Sequence, residues 1–173
     1  MSKEIQERSI VKVAVICDVL GQANNGTTIA ALNLIRTLRE KRHEVRVVCP
    51  DAERAGEPGY YIVPKYDFHM FNDYVEKNGV APAKLDTKVL ESAIHDVDVI
   101  HVMIPFALGK AAAHYAHDHS IALTAGFHCQ AENITNHIFL QNSPRANTTV
   151  YHILYERLYQ FCDLIHYPTQ FIR

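Results

Sequence analysis

Residues 10–50, "IVKVAVICDVLGQANNGTTIAALNLIRTLREKRHEVRVVCP", decide the fold of this chain. They begin with a continuous apolar run, 10–17, and end with a second β-rich run, 44–50. Runs of this kind are typical of parallel strands that are buried on both faces. Between them lies an amphipathic helix, whose apolar stripe is Ile29, Leu32, Ile35 and Leu38. A strand, a helix and a strand in this order predict a βαβ unit in a parallel sheet.

The same alternation of short β-rich runs and helical periods continues to the end of the chain. Strands are predicted at 60–64, 97–104, 120–127 and 163–168, and helices at 85–96, 106–119 and 148–162. The stretch 65–84 shows no period that assigns it to either class. We therefore predict an α/β fold, a doubly wound parallel sheet of the Rossmann-like type with helices on both faces.

Length and composition restrict the class of protein. The chain has 173 residues, of which 48% are apolar and 21% charged, which suits one globular domain. A net charge of −2 gives no electrostatic footprint for nucleic acid, so no nucleic-acid partner is expected. No apolar run is long enough to span a membrane, and the charged segment 1–12 lacks the apolar core of a signal peptide. We therefore expect a cytoplasmic protein, whose four single cysteines are reduced.

The turn after the first strand contains Gly21 and Gly26, and it allows two interpretations. Its glycine spacing fits neither the dinucleotide-binding motif nor the P-loop. In the first interpretation, a small residue at the start of a helix lets a phosphate approach the unpaired backbone N–H groups. In the second, the turn only redirects the chain, and Thr27 or Thr28 caps the helix. Ligands bind at the carboxyl ends of the strands in open α/β sheets, so the position of the turn suits the first interpretation while its local sequence favours the second.

Another group of polar residues follows the fifth predicted strand at the same edge of the sheet. Gly126, His128 and Glu132 lie within "TAGFHCQAENI", residues 124–134. An imidazole directly after a buried strand is suited to hydrogen-bond a ligand or to stabilise charge during a reaction. The alternative is a histidine that caps or packs, and the residues alone leave both interpretations open.

Two further patterns have the appearance of metal ligands but favour structural roles. Asp96 and Asp98 form an Asp-x-Asp pattern, yet they precede the fourth predicted strand and so belong to the opposite edge of the sheet. His114 and Asp118 share one helical face, which we interpret as a solvated helix end. No metal site is predicted.

Four segments together resemble the N-terminal half of family 4 retaining glycosyltransferases, which have the GT-B fold. The segments are 11–51, "DVDVIHVMIPFALG" (96–109), "ALTAGFHCQAENI" (122–134) and "DLIHYPTQFIR" (163–173). They share with that family an aspartate and an Asn-Gly turn after strand one, "RHEV" before strand two, a "DVIH" strand four and a histidine after strand five. One departure is Met103, which occupies the neighbourhood of an expected polar residue, so we expect the acceptor contacts to differ.

The resemblance implies transfer of a sugar from a nucleotide-diphosphate-sugar to an acceptor, with retention of configuration and without a cofactor or an essential metal. It implies that Asn25, Gly26 and Thr27 form a loop that faces the donor phosphates and the acceptor. It places Asp18 near the acceptor and His128 near the transferred sugar, where His128 would be the catalytic residue. Glu132 is a weaker neighbouring candidate on the acceptor side.

The resemblance also implies a domain organisation and a set of partners. Residues 1–173 would be the N-terminal, acceptor-side domain, and a C-terminal domain that binds the nucleotide-sugar would be absent from this chain, which alone would then be inactive. The acceptor would be a small molecule, a glycan or a lipid such as diacylglycerol, the last reached peripherally at the inner membrane face. The alternative is a non-enzymatic doubly wound module that binds a sugar phosphate or a protein.

Overall fold

A computed structural model of the chain describes residues 9–20, 26–67, 69, 82–136 and 139–168. Its centre is a sheet of six parallel strands, β1 Lys12–Ile16, β2 Glu44–Cys49, β3 Tyr60–Ile62, β4 Val99–Val102, β5 Ala122–Gly126 and β6 Leu164–His166. The strand order is β3-β2-β1-β4-β5-β6. The chain therefore winds outward in both directions from the β1/β4 pair, which confirms the predicted doubly wound, Rossmann-like fold.

The described helices connect these strands. They are α1 Gly26–Glu40, α2 Thr87–Ile94, α3 Ala107–His119, α4 Ala131–Asn136 and α5 Pro144–Arg157, with 3-10 turns at Ala52–Arg54 and Tyr159–Phe161. The predicted start of the last helix at Thr148 was wrong, because Ser143 caps it by accepting a hydrogen bond from the Ala146 N–H, and Pro144 suits the first helical position. The prediction also missed α4, which is too short to show a helical period.

Each face of the sheet has its own apolar core. Alternate residues of a strand point to opposite faces, so Val13 and Val15 lie on one face while Ala14 and Ile16 lie on the other. Ala31 and Ile35 of α1 cover the first face, and the stripe predicted for α1 was wrong at its N-terminal end, where Ile29 is 47% exposed. The remaining helices that cover the second core bury Leu90, Leu108, Ala112, Leu154 and Leu158.

The aromatic stripe predicted on the last helix packs largely as expected. Leu154, Leu158 and Tyr159 are buried in the second core, and Tyr151 packs against it. Tyr155 is 56% exposed, because it lies next to Leu154 around the helix and so points away from the sheet. The stripe is therefore mainly a packing surface.

Paired charges occupy the edge of the sheet where β1 and β4 begin, which we call the amino edge. Arg46 binds both Glu44 and Asp96, and the Lys12 ammonium lies 3.0 Å from an Asp96 carboxylate oxygen. The Asp98 carboxylate accepts the Lys12 N–H at 2.8 Å. These contacts agree with the structural role predicted for the Asp-x-Asp pattern.

The two ends of the unassigned stretch 65–84 meet beside the end of β1. Lys65 and Ala83 form an isolated antiparallel bridge, and the Ala83 N–H donates to the Asp18 carbonyl at 2.8 Å. This stretch therefore returns to the opposite edge of the sheet from the paired charges, which we call the carboxyl edge.

Candidate functional site at the carboxyl edge of the sheet

Asp18 lies two residues after the end of β1 and is fully buried. Its carboxylate accepts the backbone N–H groups of Leu108 and Gly109, both at 2.8 Å, in the first turn of α3. The preceding residue, Phe106, provides no side-chain cap, so Asp18 replaces it from a distant part of the sequence. Burial raises the pKa of Asp18 to about 6, although the backbone N–H groups act in the opposite direction.

The observed contacts of Asp18 are therefore structural, since its carboxylate points into the protein and fixes α3 against β1. Its predicted place near an acceptor stays a prediction.

Gly109 allows this close approach, and the sequence reasoning missed it. A Cβ at this position would lie 2.4 Å from the Ile104 carbonyl oxygen and 2.7 Å from Cγ1 of Val102. It would also lie 3.3 Å from a carboxylate oxygen of Asp18. A glycine early in the helix after β4 was visible in the sequence, but the surrounding backbone that requires it was not.

The N-terminus of α1 faces solvent at the same edge. The helix begins at Gly26, and a Cβ added at Gly26 would meet nothing within 4 Å among the described residues. Thr27 is half-buried and Thr28 is buried. Because the first N–H groups of a helix have no intrahelical partner, open space at Gly26 is suited to the approach of an anion. Asn25, the third predicted loop residue, lies outside the described residues.

His128 lies where β5 ends and is half-buried. Its imidazole folds back over Gly126, where an added Cβ would lie 2.3 Å from Nε2 and 2.4 Å from Cδ2. The missing side chain at Gly126 thus provides the space that the imidazole occupies. Burial lowers the pKa of His128, and the nearby His166 lowers it further.

Two more histidines accompany His128, and the sequence reasoning did not select either. His101 on β4 is the register partner of Thr124 on β5, and its Nδ1 lies 2.8 Å from the Thr124 hydroxyl. His166 ends β6 and is the register partner of Gly126. The ring centroids of His128 and His166 are 6.4 Å apart. Burial, together with His128 and His166, lowers the pKa of His101 to about 4.

Glu132 lies in the first turn of α4, the helix that the sequence reasoning missed. Its carboxylate accepts the Tyr151 hydroxyl at 2.7 Å and the Asn147 side-chain amide at 3.3 Å. Asn147 also accepts the Thr135 hydroxyl at 2.7 Å. Glu132 therefore fastens α4 to α5, and its predicted role on the acceptor side stays a prediction.

Met103 does not reach this edge. It is 2% exposed and packs in the core under α1. Its observed contacts are apolar packing, and the expectation that the acceptor contacts differ stays a prediction.

Metal ligands do not gather among the described residues. No group of three His, Cys, Asp or Glu side chains there has the geometry to hold an ion. At the end of α3, His119 stacks on Tyr115 and the rings of His114 and His117 contact Phe161. The four cysteines are free thiols.

The carboxyl edge therefore combines imidazoles with helix N-termini. Its imidazoles are His101, His128 and His166, and α1 and α3 also begin at this edge, after β1 and β4. The edge includes the switch point between β1 and β4, where sheets of this topology bind ligands. Imidazoles and the backbone N–H groups at the start of a helix can hydrogen-bond both hydroxyl and phosphoryl oxygens.

The comparison with protein families gives the class of this protein. Residues 24–173 match the model of Glycosyltransferase Family 4, which is most of the chain. The chain belongs to Glycosyltransferase Family 4, and the resemblance stated from the sequence motifs is confirmed.

Solved structures give more distant likenesses. One is an S. aureus MnaA–UDP co-structure, with 18% identity and a TM-score of 0.48 over 93% of this chain. Another is the UDP-GlcNAc 2-epimerase from Methanocaldococcus jannaschii, with 12% identity and a TM-score of 0.42 over 92% of this chain. The chain spans only 38% and 40% of the lengths of these two proteins. No curated protein matches the chain.

Proposed function

We propose that this chain is the acceptor-side domain of a retaining glycosyltransferase, which transfers a sugar from a nucleotide-diphosphate-sugar to an acceptor. Membership of Glycosyltransferase Family 4 supports the sugar transfer. The observation that carries the proposal is the His128 imidazole, folded over Gly126 at the ligand-binding edge of the sheet.

Each residue of the site has a distinct role in this proposal. His128 touches the transferred sugar, where its imidazole positions a hydroxyl group or stabilises developing charge. Gly26 and Thr27, with Asn25, face the donor phosphates and the acceptor. Asp18 acts on the acceptor side through the position of α3 rather than by direct contact, because its carboxylate is bound to that helix.

Leaving-group chemistry requires more than this chain supplies. We propose that a C-terminal domain of the same polypeptide binds the nucleotide-sugar, and that the 173-residue chain alone has no turnover. The proposed reaction uses no cofactor and no essential metal, since backbone N–H groups and charged side chains stabilise the departing diphosphate.

The proposed acceptor is a lipid such as diacylglycerol, met peripherally at the inner membrane face. None of the helices in the described ranges is long and apolar enough to cross a membrane. A peripheral enzyme that works on a lipid headgroup needs no such helix.

The experiment measures sugar transfer by the natural full-length polypeptide that contains this chain. A panel of nucleotide-diphosphate-sugars is supplied with diacylglycerol vesicles or soluble acceptors, and the anomeric configuration of the product is determined by NMR. We expect a product with the configuration of the donor. We also expect His128→Asn to lower kcat by about a hundredfold, as the loss of one transition-state hydrogen bond does.

The matched control is His152→Asn, an exposed histidine on α5 outside the site. It should transfer sugar at the wild-type rate. Full activity in a folded His128→Asn variant would remove His128 from its role. Binding of a sugar phosphate or a protein, without transfer from any donor, would instead support the non-enzymatic module.

A further inference from the structure

His128, two residues after the end of β5, and His166, the last residue of β6, form a pair of imidazoles. Gly126 ends β5, and its register partner His166 ends β6, so both positions lie on the same face of the sheet. The His128 ring occupies the space above Gly126 and thereby comes to 6.4 Å from the His166 ring, centroid to centroid. A single atom group placed between the two rings can contact both of them.

Carboxylates on the surrounding elements have other partners, including Asp163, which accepts the Leu123 N–H at 2.9 Å. Asp18 is buried against α3, and Glu132 binds Tyr151 and Asn147. No described acidic side chain forms an ion pair with either imidazole. The other titratable groups of the surrounding elements are His101 on β4, Cys129 beside His128, and Tyr151, Tyr159 and Tyr167 around Phe127.

These surroundings disfavour two protonated imidazoles side by side unless an anion is bound. His101 stays neutral near pH 7, because its pKa is lowered to about 4. Burial and His166 also lower the pKa of His128, so two positive charges here repel each other in the absence of an anion. An oxyanion between the rings would reverse this effect, since an opposite charge at close range favours protonation.

We propose that His128 and His166 together form an oxyanion site, which binds the phosphoryl group of a substrate and takes up a proton as it does so. That the phosphoryl group belongs to the sugar donor rests on the proposed function; the pairing of the two imidazoles does not.

The experiment is a pH titration of the histidine side chains of this chain by NMR, in sodium sulfate and in sodium chloride of equal ionic strength. Sulfate is the probe because it is a tetrahedral dianion whose charge is constant between pH 5 and pH 8. We expect sulfate to raise the pKa of His128 and to shift the ring NMR signals of His166. We also expect its affinity to increase as the pH falls, by up to about tenfold per pH unit for each proton taken up.

Two variants locate the effect. His166→Asn should remove most of the sulfate-dependent shift at His128, whereas His152→Asn on α5 should leave it unchanged. Gly126→Ala provides an independent test, because the added methyl group displaces the His128 ring and should abolish the paired response even if His166→Asn fails to fold.

Equal titration curves in sulfate and chloride would overturn the proposal, and so would an equal shift at the exposed His152, which would show screening alone. No step of this measurement requires sugar transfer. A sulfate-linked shift in a protein that transfers no sugar would contradict the proposed function and leave the oxyanion site standing. Sugar transfer by a protein that shows no sulfate-linked shift would contradict the oxyanion site and leave the proposed function standing.

Discussion

The two edges of one sheet differ in how their polar groups are satisfied. At the amino edge, Lys12 and Arg46 pair with Asp96 and Glu44, and the two cations hold the pKa of Asp96 well below its usual range. At the carboxyl edge, burial lowers the pKa of His101 and His128, and these imidazoles have no described ionic partner. The charges of the amino edge are thus paired within the protein, whereas the imidazoles of the carboxyl edge are the groups that the proposed function assigns to a ligand.

The carboxyl edge also contains two glycines with opposite surroundings, and they give the largest expected difference. Gly109→Ala should destabilise the fold by about 1–3 kcal/mol or more, because the new methyl group overlaps backbone of the β4–α3 connection. Gly26→Ala should change the free energy of unfolding by less than about 1 kcal/mol, because its Cβ has open space. Urea unfolding of both variants checks this. If both variants lost the same free energy of unfolding, the surroundings of Gly26 and Gly109 would be equally tightly packed.

The buried carboxylate of Asp18 gives the next largest effect. Asp18→Asn should destabilise by about 1–3 kcal/mol, since an amide cannot accept from both the Leu108 and Gly109 N–H groups. The pKa of Asp18 is raised from 3.8 to about 6, which means that folding favours the protonated carboxyl group. The stability that this group contributes is therefore present below pH 4 and is lost as the pH rises through 6.

The penalty of Asp18→Asn should therefore be larger at pH 4 than at pH 7, by roughly 3 kcal/mol at most. Denaturation curves of the wild type and the variant at both pH values measure the difference. A penalty that grows with pH would contradict the assigned direction.

The amino edge should give the smallest effect. Arg46→Ala should return the pKa of Asp96 toward its usual value, which an NMR titration of the carboxyl carbon detects. A lowered pKa stabilises the fold above pH 4 and ceases to do so as the pH falls, so the wild-type advantage should shrink in acid. It should also shrink in high salt, because the pair is partly exposed. If Arg46→Ala also abolished the response of the carboxyl edge to a ligand, the two edges would not be independent of each other.

Much of the fold was predictable because it depends on local patterns. Buried parallel strands such as β1 and β2 form continuous apolar runs, and α1 and α3 show helical periods, so the order of elements follows from the sequence. Errors occurred where a local signal was absent or misleading. The short helix α4 spans less than two turns, and the position of Ile29 depends on the rotation of α1 against the sheet.

The site was predictable only in part. His128 and Gly26 were identified because they follow strands at the ligand-binding edge. His101 and His166 were missed, since their proximity depends on the register of β4, β5 and β6, which no single segment specifies. The burial of Asp18 and the need for Gly109 likewise arise from a contact between residues about 90 positions apart.

Hydrogen–deuterium exchange on the natural full-length polypeptide tests most directly whether the carboxyl edge is the substrate site. Peptides are compared with and without the nucleotide-diphosphate-sugars of the transfer panel. Binding should slow exchange in the first turns of α1 and α3 and in residues 126–129, and leave the segments around Lys12, Arg46 and Asp96 unchanged. Protection confined to the amino edge would contradict the proposed site.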